Sequence, residues 1–231
     1  MPNLSRLAPF LALLVAAAVA VGGCGGDDND DDGGGTPPED LSAQLVAPSD
    51  IAVGAKLTTD REFQWTDPID FAVEGIFVPQ SVPGAASKTV HALEDAGFES
   101  GAGEAQATKD GSILAFVDVV KFDSDDGAAE ARDYLNTNNL QQPCHGPCSV
   151  KPQQADTLGV PSAKSVHQVP IKGAELPPGA HPFEARIIEF TIGPFLYHLS
   201  VDGPPGLVSD SEWKQSVEAV YENAQKTTPS S

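Results

Sequence analysis

The most constraining feature of this sequence is the run SILAFVDVVKF at residues 112–122. Side chains of a strand alternate between the two faces of a sheet. Both alternating sets are largely apolar here, so the run predicts a central strand that is covered on both sides. The exception is Asp118, because a buried carboxyl group must be paired or hydrogen-bonded, or must raise its pKa. Asp118 is therefore a candidate ligand-site residue, and the alternative is an edge-facing or arginine-paired aspartate.

A hairpin is predicted later in the chain. Two strand-like runs, residues 184–191 and 195–201, flank the turn sequence Ile192-Gly193-Pro194. In the second run alternate residues, beginning at Phe195, are expected on the buried face. His198 falls on the other face and is expected to be exposed or half-buried. Weaker strand patterns lie at residues 71–78, around Gln106 and at residues 164–171.

Three helices are readable from their ends and their apolar stripes. Near the C-terminus Ser209 and Glu212 match a capping box that opens a helix. A second helix is expected after Phe122, with Ser124 as its cap and Asn138-Asn139 at its end. The third spans roughly residues 85–96, and Gly97 follows it. Helices mixed with hairpins predict an α+β fold, a mixed α/β sandwich with a largely antiparallel twisted sheet and about three helices.

The start of the chain has the pattern of an export signal. After Arg6, residues 7–21 form an apolar run that as a helix would be about 22 Å long, too short for a bilayer core of about 30 Å. It ends in Val21-Gly22-Gly23-Cys24, which resembles the lipobox of bacterial lipoproteins. The resemblance implies cleavage before Cys24, a diacylglyceryl group on its sulfur, often N-acylation, and attachment to the outer face of the cell membrane.

An acidic, glycine-rich stretch follows the cysteine. Residues 25–40 contain seven acidic residues and no aliphatic or aromatic residue, so they are expected to be a disordered tether. The expected organisation is a signal peptide at 1–23, the lipidated cysteine and tether at 24–40, and one extracytoplasmic domain at 41–231. That domain has 12 basic and 26 acidic residues, a net charge of −14, which disfavours nucleic acid as a partner.

The other two cysteines lie close together in Pro143-Cys144-His145-Gly146-Pro147-Cys148. Outside the membrane thiols oxidise, so a local disulfide between Cys144 and Cys148 is the favoured interpretation. Redox and metal-binding alternatives are weaker. Redox dithiols usually have two intervening residues at a helix N-terminus, and the thioredoxin-like βαβ pattern of exported copper relays is missing. No cofactor motif or metal-ligating histidine spacing is present.

The order of elements carries a second resemblance. A strand, then Ser124 to Ala129 opening a helix, then a proline-glycine loop, a late hairpin and a closing tryptophan helix are similar to exported lipoprotein domains of actinobacteria, such as the LpqN group. Some of these have a PsbP-like sandwich fold. The likeness covers about residues 60–225, and it implies no shared catalytic residues.

These patterns favour a non-enzymatic lipoprotein that binds a small ligand or a partner protein at the cell envelope. An envelope enzyme whose site is assembled only by the fold is the main alternative, and a metal or thiol-redox protein that uses Cys144 and Cys148 is the third. The sequence leaves the oligomeric state open.

Overall fold

The structure is a computed structural model that describes residues 40–74, 85–141, 150–173 and 182–229. All of them lie in one compact unit, Pro37–Ser231. The described ranges contain seven strands: β1 (Leu57–Trp65), β2 (Phe98–Thr108), β3 (Leu114–Phe122), β4 (Val150–Gln154), β5 (Lys164–Pro170), β6 (Glu184–Ile192) and β7 (Phe195–Gly203). Their α-helices are α1 (Pro68–Glu74), α2 (Ala85–Asp95), α3 (Asp125–Gln141) and α4 (Asp210–Thr227), and two short 3-10 helices precede β1.

The strands form one antiparallel sheet in the order β1-β2-β3-β7-β6-β5-β4. The α+β class and the antiparallel sheet predicted from the sequence are confirmed. The predicted hairpin is β6 and β7, which pair from Ile192 and Phe195 outward. Strand β3 lies third in the sheet, between β2 and β7, and is buried on both faces over most of its length.

Two layers cover the sheet. One face packs against α4 and residues 41–53, in a core that includes Trp213, Tyr197 and Phe190. The other face packs against the N-terminal part of α3 and the region of α1 and α2, in a core that includes Trp65, Phe71 and Phe122. Because both faces are covered, most residues of β3 and β7 are buried whichever way they point.

Helices α2, α3 and α4 confirm three sequence predictions. The Ser209 side chain accepts from the Glu212 amide at the start of α4, which completes the capping box. In α3 the Ser124 hydroxyl accepts from the Gly127 amide at 3.1 Å. Gly97 follows α2 with a φ of +75°, a conformation that glycine adopts without strain.

Two predictions from the sequence are wrong, one about a strand and one about the end of a helix. Residues 71–74 belong to α1, where the Asp67 carboxylate accepts from the Ile69 amide and Phe71 packs edge-on against Trp65. The strand predicted at 71–78 therefore fails over the part that the structure describes. Helix α3 runs on to Gln141 instead of ending at Asn138-Asn139, because Asn139 is buried against the sheet.

The segment that leads into the sheet is part of the core. Leu41 is fully buried and Val46, Ile51 and Val53 join the same cluster. The Asn223 side chain of α4 donates to the Gln44 carbonyl at 2.8 Å, and the Ala52 amide donates to the Ser216 hydroxyl at 3.0 Å. Residues 41–53 are thereby held along α4.

Candidate functional site

Three ionisable side chains lie side by side in the middle of the sheet. Asp118 of β3 is the register partner of His198 of β7, and His198 is the register partner of Glu189 of β6. All three point to the face that α3 covers, as do Val120 and Leu196 in the adjacent row. We call Asp118, His198 and Glu189 the polar row.

The polar row is closed off from solvent. Asp118 is 4% exposed, His198 3% and Glu189 0%. Beside Asp118, on β2, lies Gly103, where a Cβ atom would collide with an Asp118 carboxylate oxygen and with the Trp65 ring. The absence of a side chain at residue 103 therefore lets Asp118 and Trp65 pack over the β2 backbone.

Burial decides the charge state of Asp118 and His198. The carboxylate Oδ2 of Asp118 lies 3.9 Å from Nδ1 of His198, beyond hydrogen-bond distance. Loss of solvent raises the pKa of Asp118 to about 8 and lowers the pKa of His198 well below its usual value. At neutral pH both groups are therefore mainly uncharged.

Glu189 is also fully buried, and it accepts a hydrogen bond from α3. Burial raises its pKa to about 8, while the positive charge of Arg132 and a hydrogen bond from Asn139 act against the rise and the negative charge of Asp133 adds to it. The Asn139 side-chain amide of α3 donates to Glu189 Oε1 at 3.0 Å. Oxygen Oε2 of Glu189 has no hydrogen-bond partner within the described part of the chain.

Other buried polar atoms lie in the polar row and beside it. Within the described ranges no hydrogen bond reaches Nε1 of Trp65, Oδ2 of Asp118 or Nδ2 of Asn136. Each buried polar atom left in this way costs about 1–3 kcal/mol of stability.

The opposite face of the sheet carries a second polar cluster, near the start of α4. Glu184 accepts hydrogen bonds from the Gly206 amide at 3.0 Å and from Arg186 at 3.2 Å, and its Oε1 lies 2.9 Å from His167 Nε2. Arg186 also donates to Asp210 at 2.8 Å. A small pocket there is lined by Glu184, Arg186 and Val201 among others. Because its charges are paired within the cluster, this group ties the β7–α4 connection to the sheet.

The sequence located only part of the polar row. Asp118 is buried as its position predicted, with His198 instead of an arginine as its ionisable neighbour, and its role in ligand binding stays a prediction. The prediction that His198 is exposed or half-buried is wrong, because α3 covers the second face of β7. Glu189 was missed, although an acidic residue between Ile188 and Phe190 was a signal of the same kind as Asp118.

The remaining site predictions concern residues outside those that the structure describes. These residues are Cys24, Cys144 and Cys148. Within the described ranges, no group of three or more histidine, cysteine or acidic side chains is placed to hold a metal ion. None of the helices described there has the length and apolar character needed to cross a bilayer.

The architecture is that of an α+β domain in which an antiparallel sheet has helices on both faces. The extracellular domain of PknH from Mycobacterium tuberculosis has a similar fold, with a TM-score of 0.52 and 14% sequence identity over 80% of this chain and 94% of that one. At this identity the likeness concerns the fold alone. No model of a known protein family and no curated protein sequence matches the chain.

Proposed function

We propose that this protein is a lipid-anchored domain on the outer face of the cell membrane that binds a partner protein without catalysing a reaction. The observation that carries the proposal is the order of the sequence: an apolar signal-like run, the lipobox-like Val21-Gly22-Gly23-Cys24, an acidic tether, and then a folded domain. The fold supports the location, since it is similar to a domain described as extracellular.

The distribution of exposed apolar side chains supports a binding role. Five large hydrophobic residues are at least 40% exposed in the described part of the chain. Four of them lie where β3 begins, β5 and β7 end and β6 begins: Leu114, Ile171, Phe183 and Leu207. We call these four residues the apolar end. Exposed hydrophobic groups that gather in one place are typical of protein–protein contacts, whereas scattered ones are not informative.

The position of residues 41–44 relative to the apolar end supports a partner that approaches from the side away from the membrane. Residues 41–44 pack near the C-terminal end of α4, where Gln44 and Thr228 hydrogen-bond the Tyr197 hydroxyl. Tyr197 lies near the β6–β7 turn, at the other end of the strands from the apolar end. A tether attached at residue 41 therefore leaves the apolar end free to point away from the bilayer.

An envelope enzyme remains the alternative, and the polar row is what favours it. Buried carboxyl groups with raised pKa values next to a histidine are frequent in active sites. However, α3 lies over the row, so a substrate would reach Asp118 or His198 only after α3 had moved.

The anchoring part of the proposal predicts the behaviour of a Cys24→Ser variant. Without the sulfur the diacylglyceryl group has no attachment point, so the variant should leave the membrane fraction, while the wild-type chain sediments with membranes. Intact-mass measurement of the wild-type protein should give a chain that begins at Cys24 and carries acyl groups. A variant that still sediments, or a wild-type chain with another N-terminus, would contradict the proposal.

The binding part predicts site-specific photo-crosslinking. A photoreactive residue placed at Phe183 or Leu207 in the full chain in its native host should give one discrete adduct, which Leu114→Asp should abolish. The matched control is Ile69, which is 52% exposed but lies on α1, away from the apolar end. Equal crosslinking from residues 69 and 183, or none from residues 183 and 207, would overturn the partner-binding role. An adduct of twice the chain mass would identify the partner as a second copy.

A further inference from the structure

Helix α3 has two halves with different contacts. Its first half presents Ala128, Ala131 and Leu135, which are at most 1% exposed and belong to the core that includes Trp65 and Phe122. Its second half places Asn136 and Asn139, each 5% exposed, against the sheet. Apolar side chains therefore bury the first half, whereas the buried side chains described in the second half are polar.

The polar contact that holds the second half is made to the polar row. Asn139 donates to Glu189 Oε1 at 3.0 Å, and the amide nitrogen of Asn136 has no hydrogen-bond partner within the described ranges. One hydrogen bond contributes only about 0.5–1.5 kcal/mol to stability. The attachment of residues 136–141 to β6 therefore depends on the protonation state of Glu189.

The two cationic side chains near Glu189, those of Arg132 and Lys164, make their direct contacts with other residues. Arg132 of α3 donates to the Ser162 carbonyl at 2.6 Å and to Asp133 at 2.9 Å. Lys164 of β5 is the register partner of Glu189, and its ammonium group lies 3.8 Å from Asp133. The facing groups on β7 and β3 are the other two members of the polar row, His198 and Asp118, and both are uncharged at neutral pH. None of these groups gives an ionised Glu189 a direct partner within the described residues.

We propose that residues 136–141 form a clasp that is closed on β6 while Glu189 carries a proton and that loosens when Glu189 loses it. The inference goes beyond the proposed function and does not rest on it. It makes the cover of the polar row responsive to acidity, so that acidification tightens the clasp and a rise in pH towards 8 progressively loosens it.

The direction of the pH dependence follows from the linkage between proton binding and opening of the clasp. In the closed clasp burial raises the pKa of Glu189 to about 8, whereas the group has its ordinary value of 4.5 once water reaches it. The closed form therefore binds the proton more tightly, and opening releases it. The stabilisation is complete below the ordinary pKa and is lost as the pH rises towards 8, by up to about tenfold in the opening constant per pH unit.

Hydrogen exchange of the full chain between pH 5 and 8 tests the clasp. After correction for the intrinsic exchange rate, the protection of the amides at 136–141 should fall by up to about tenfold per pH unit, and it should be lower than the protection at residues 128–135. Glu189→Gln keeps a side chain of the same shape that can accept a hydrogen bond but cannot ionise. In this variant the protection of the amides at 136–141 should therefore not change with pH. Glu184→Gln, on the same strand but the opposite face, should behave as the wild type.

Three results would overturn the clasp. The first is wild-type protection at 136–141 that does not depend on pH, and the second is an unchanged slope in Glu189→Gln. The third is equal protection at 136–141 and 128–135 throughout the pH range, because the opening would then be global. If Glu189→Gln fails to fold, an NMR titration of the Glu189 carboxyl group in the wild type decides instead. A pKa close to 4.5 contradicts the proposal, and one close to 8 supports it.

Discussion

At the scale of single residues, the middle of the sheet depends on the missing side chain at residue 103. Asp118 and the Trp65 ring occupy the space that a Cβ atom of residue 103 would take, and β2 is held between β1 and β3 at that point. Packing of this kind explains how Asp118 can lie inside an otherwise apolar layer. The glycine is therefore as much a part of the polar row as the ionisable groups.

Gly103→Ala should consequently destabilise the domain by about 1–3 kcal/mol, because the added methyl group must displace Asp118 or Trp65. The free energy of unfolding in urea measures the effect. Gly203→Ala is the matched control, since its Cβ would lie 3.3 Å from the nearest atom, the Ser112 carbonyl oxygen, and should cost clearly less. Equal losses in the two variants would contradict the close packing of Asp118 and Trp65 against residue 103.

At the scale of elements, the sequence predicted best what local chemistry determines. Helix α4 was predicted from its capping box and apolar stripe, and hairpin β6–β7 from the turn between two apolar runs, because both signals lie within the element itself. Edge strands β1 and β4 were missed. Six of the nine side chains of β1 are exposed, so it lacks the alternation that marks a half-buried strand.

The errors arose where tertiary contacts override local preference. Asn138-Asn139 is a reasonable helix end in isolation, but Asn139 is held inside α3 by its hydrogen bond to Glu189. Phe71 has the bulk typical of a strand residue, yet it belongs to α1 because it fills a space beside Trp65 and Phe98. The polar row combines strands distant in sequence, so only the fold brings its three members together.

At the scale of the whole molecule, buried titratable groups give the domain a pH-dependent stability. Asp118 and Glu189 have pKa values raised to about 8, and burial raises that of Asp202 to about 7. A carboxyl group with a raised pKa stabilises the fold fully below its unfolded-state pKa and loses that effect as the pH rises. His198, with a lowered pKa, acts in the opposite direction only below its ordinary value of 6.5.

The free energy of unfolding should therefore be higher at pH 6.5 than at pH 8, by up to about 1.4 kcal/mol per pH unit for each carboxyl group. Urea unfolding of the full chain at the two pH values measures the difference. The double variant Asp118→Asn with Glu189→Gln should reduce the dependence to the part that Asp202 contributes, and Glu184→Gln should leave it in place. Stability that increases over this interval would contradict the assigned protonation states.

The packing of residues 41–53 has a mechanical consequence. Leu41, Val46, Ile51 and Val53 are core residues, and Asn223 and Ser216 fix this segment along α4. A force applied to the chain upstream of Leu41 therefore acts directly on the packed segment 41–53. It peels the segment away from α4 and exposes Trp213 and its neighbours, so that tension at the N-terminus is converted into loss of core on one face of the sheet.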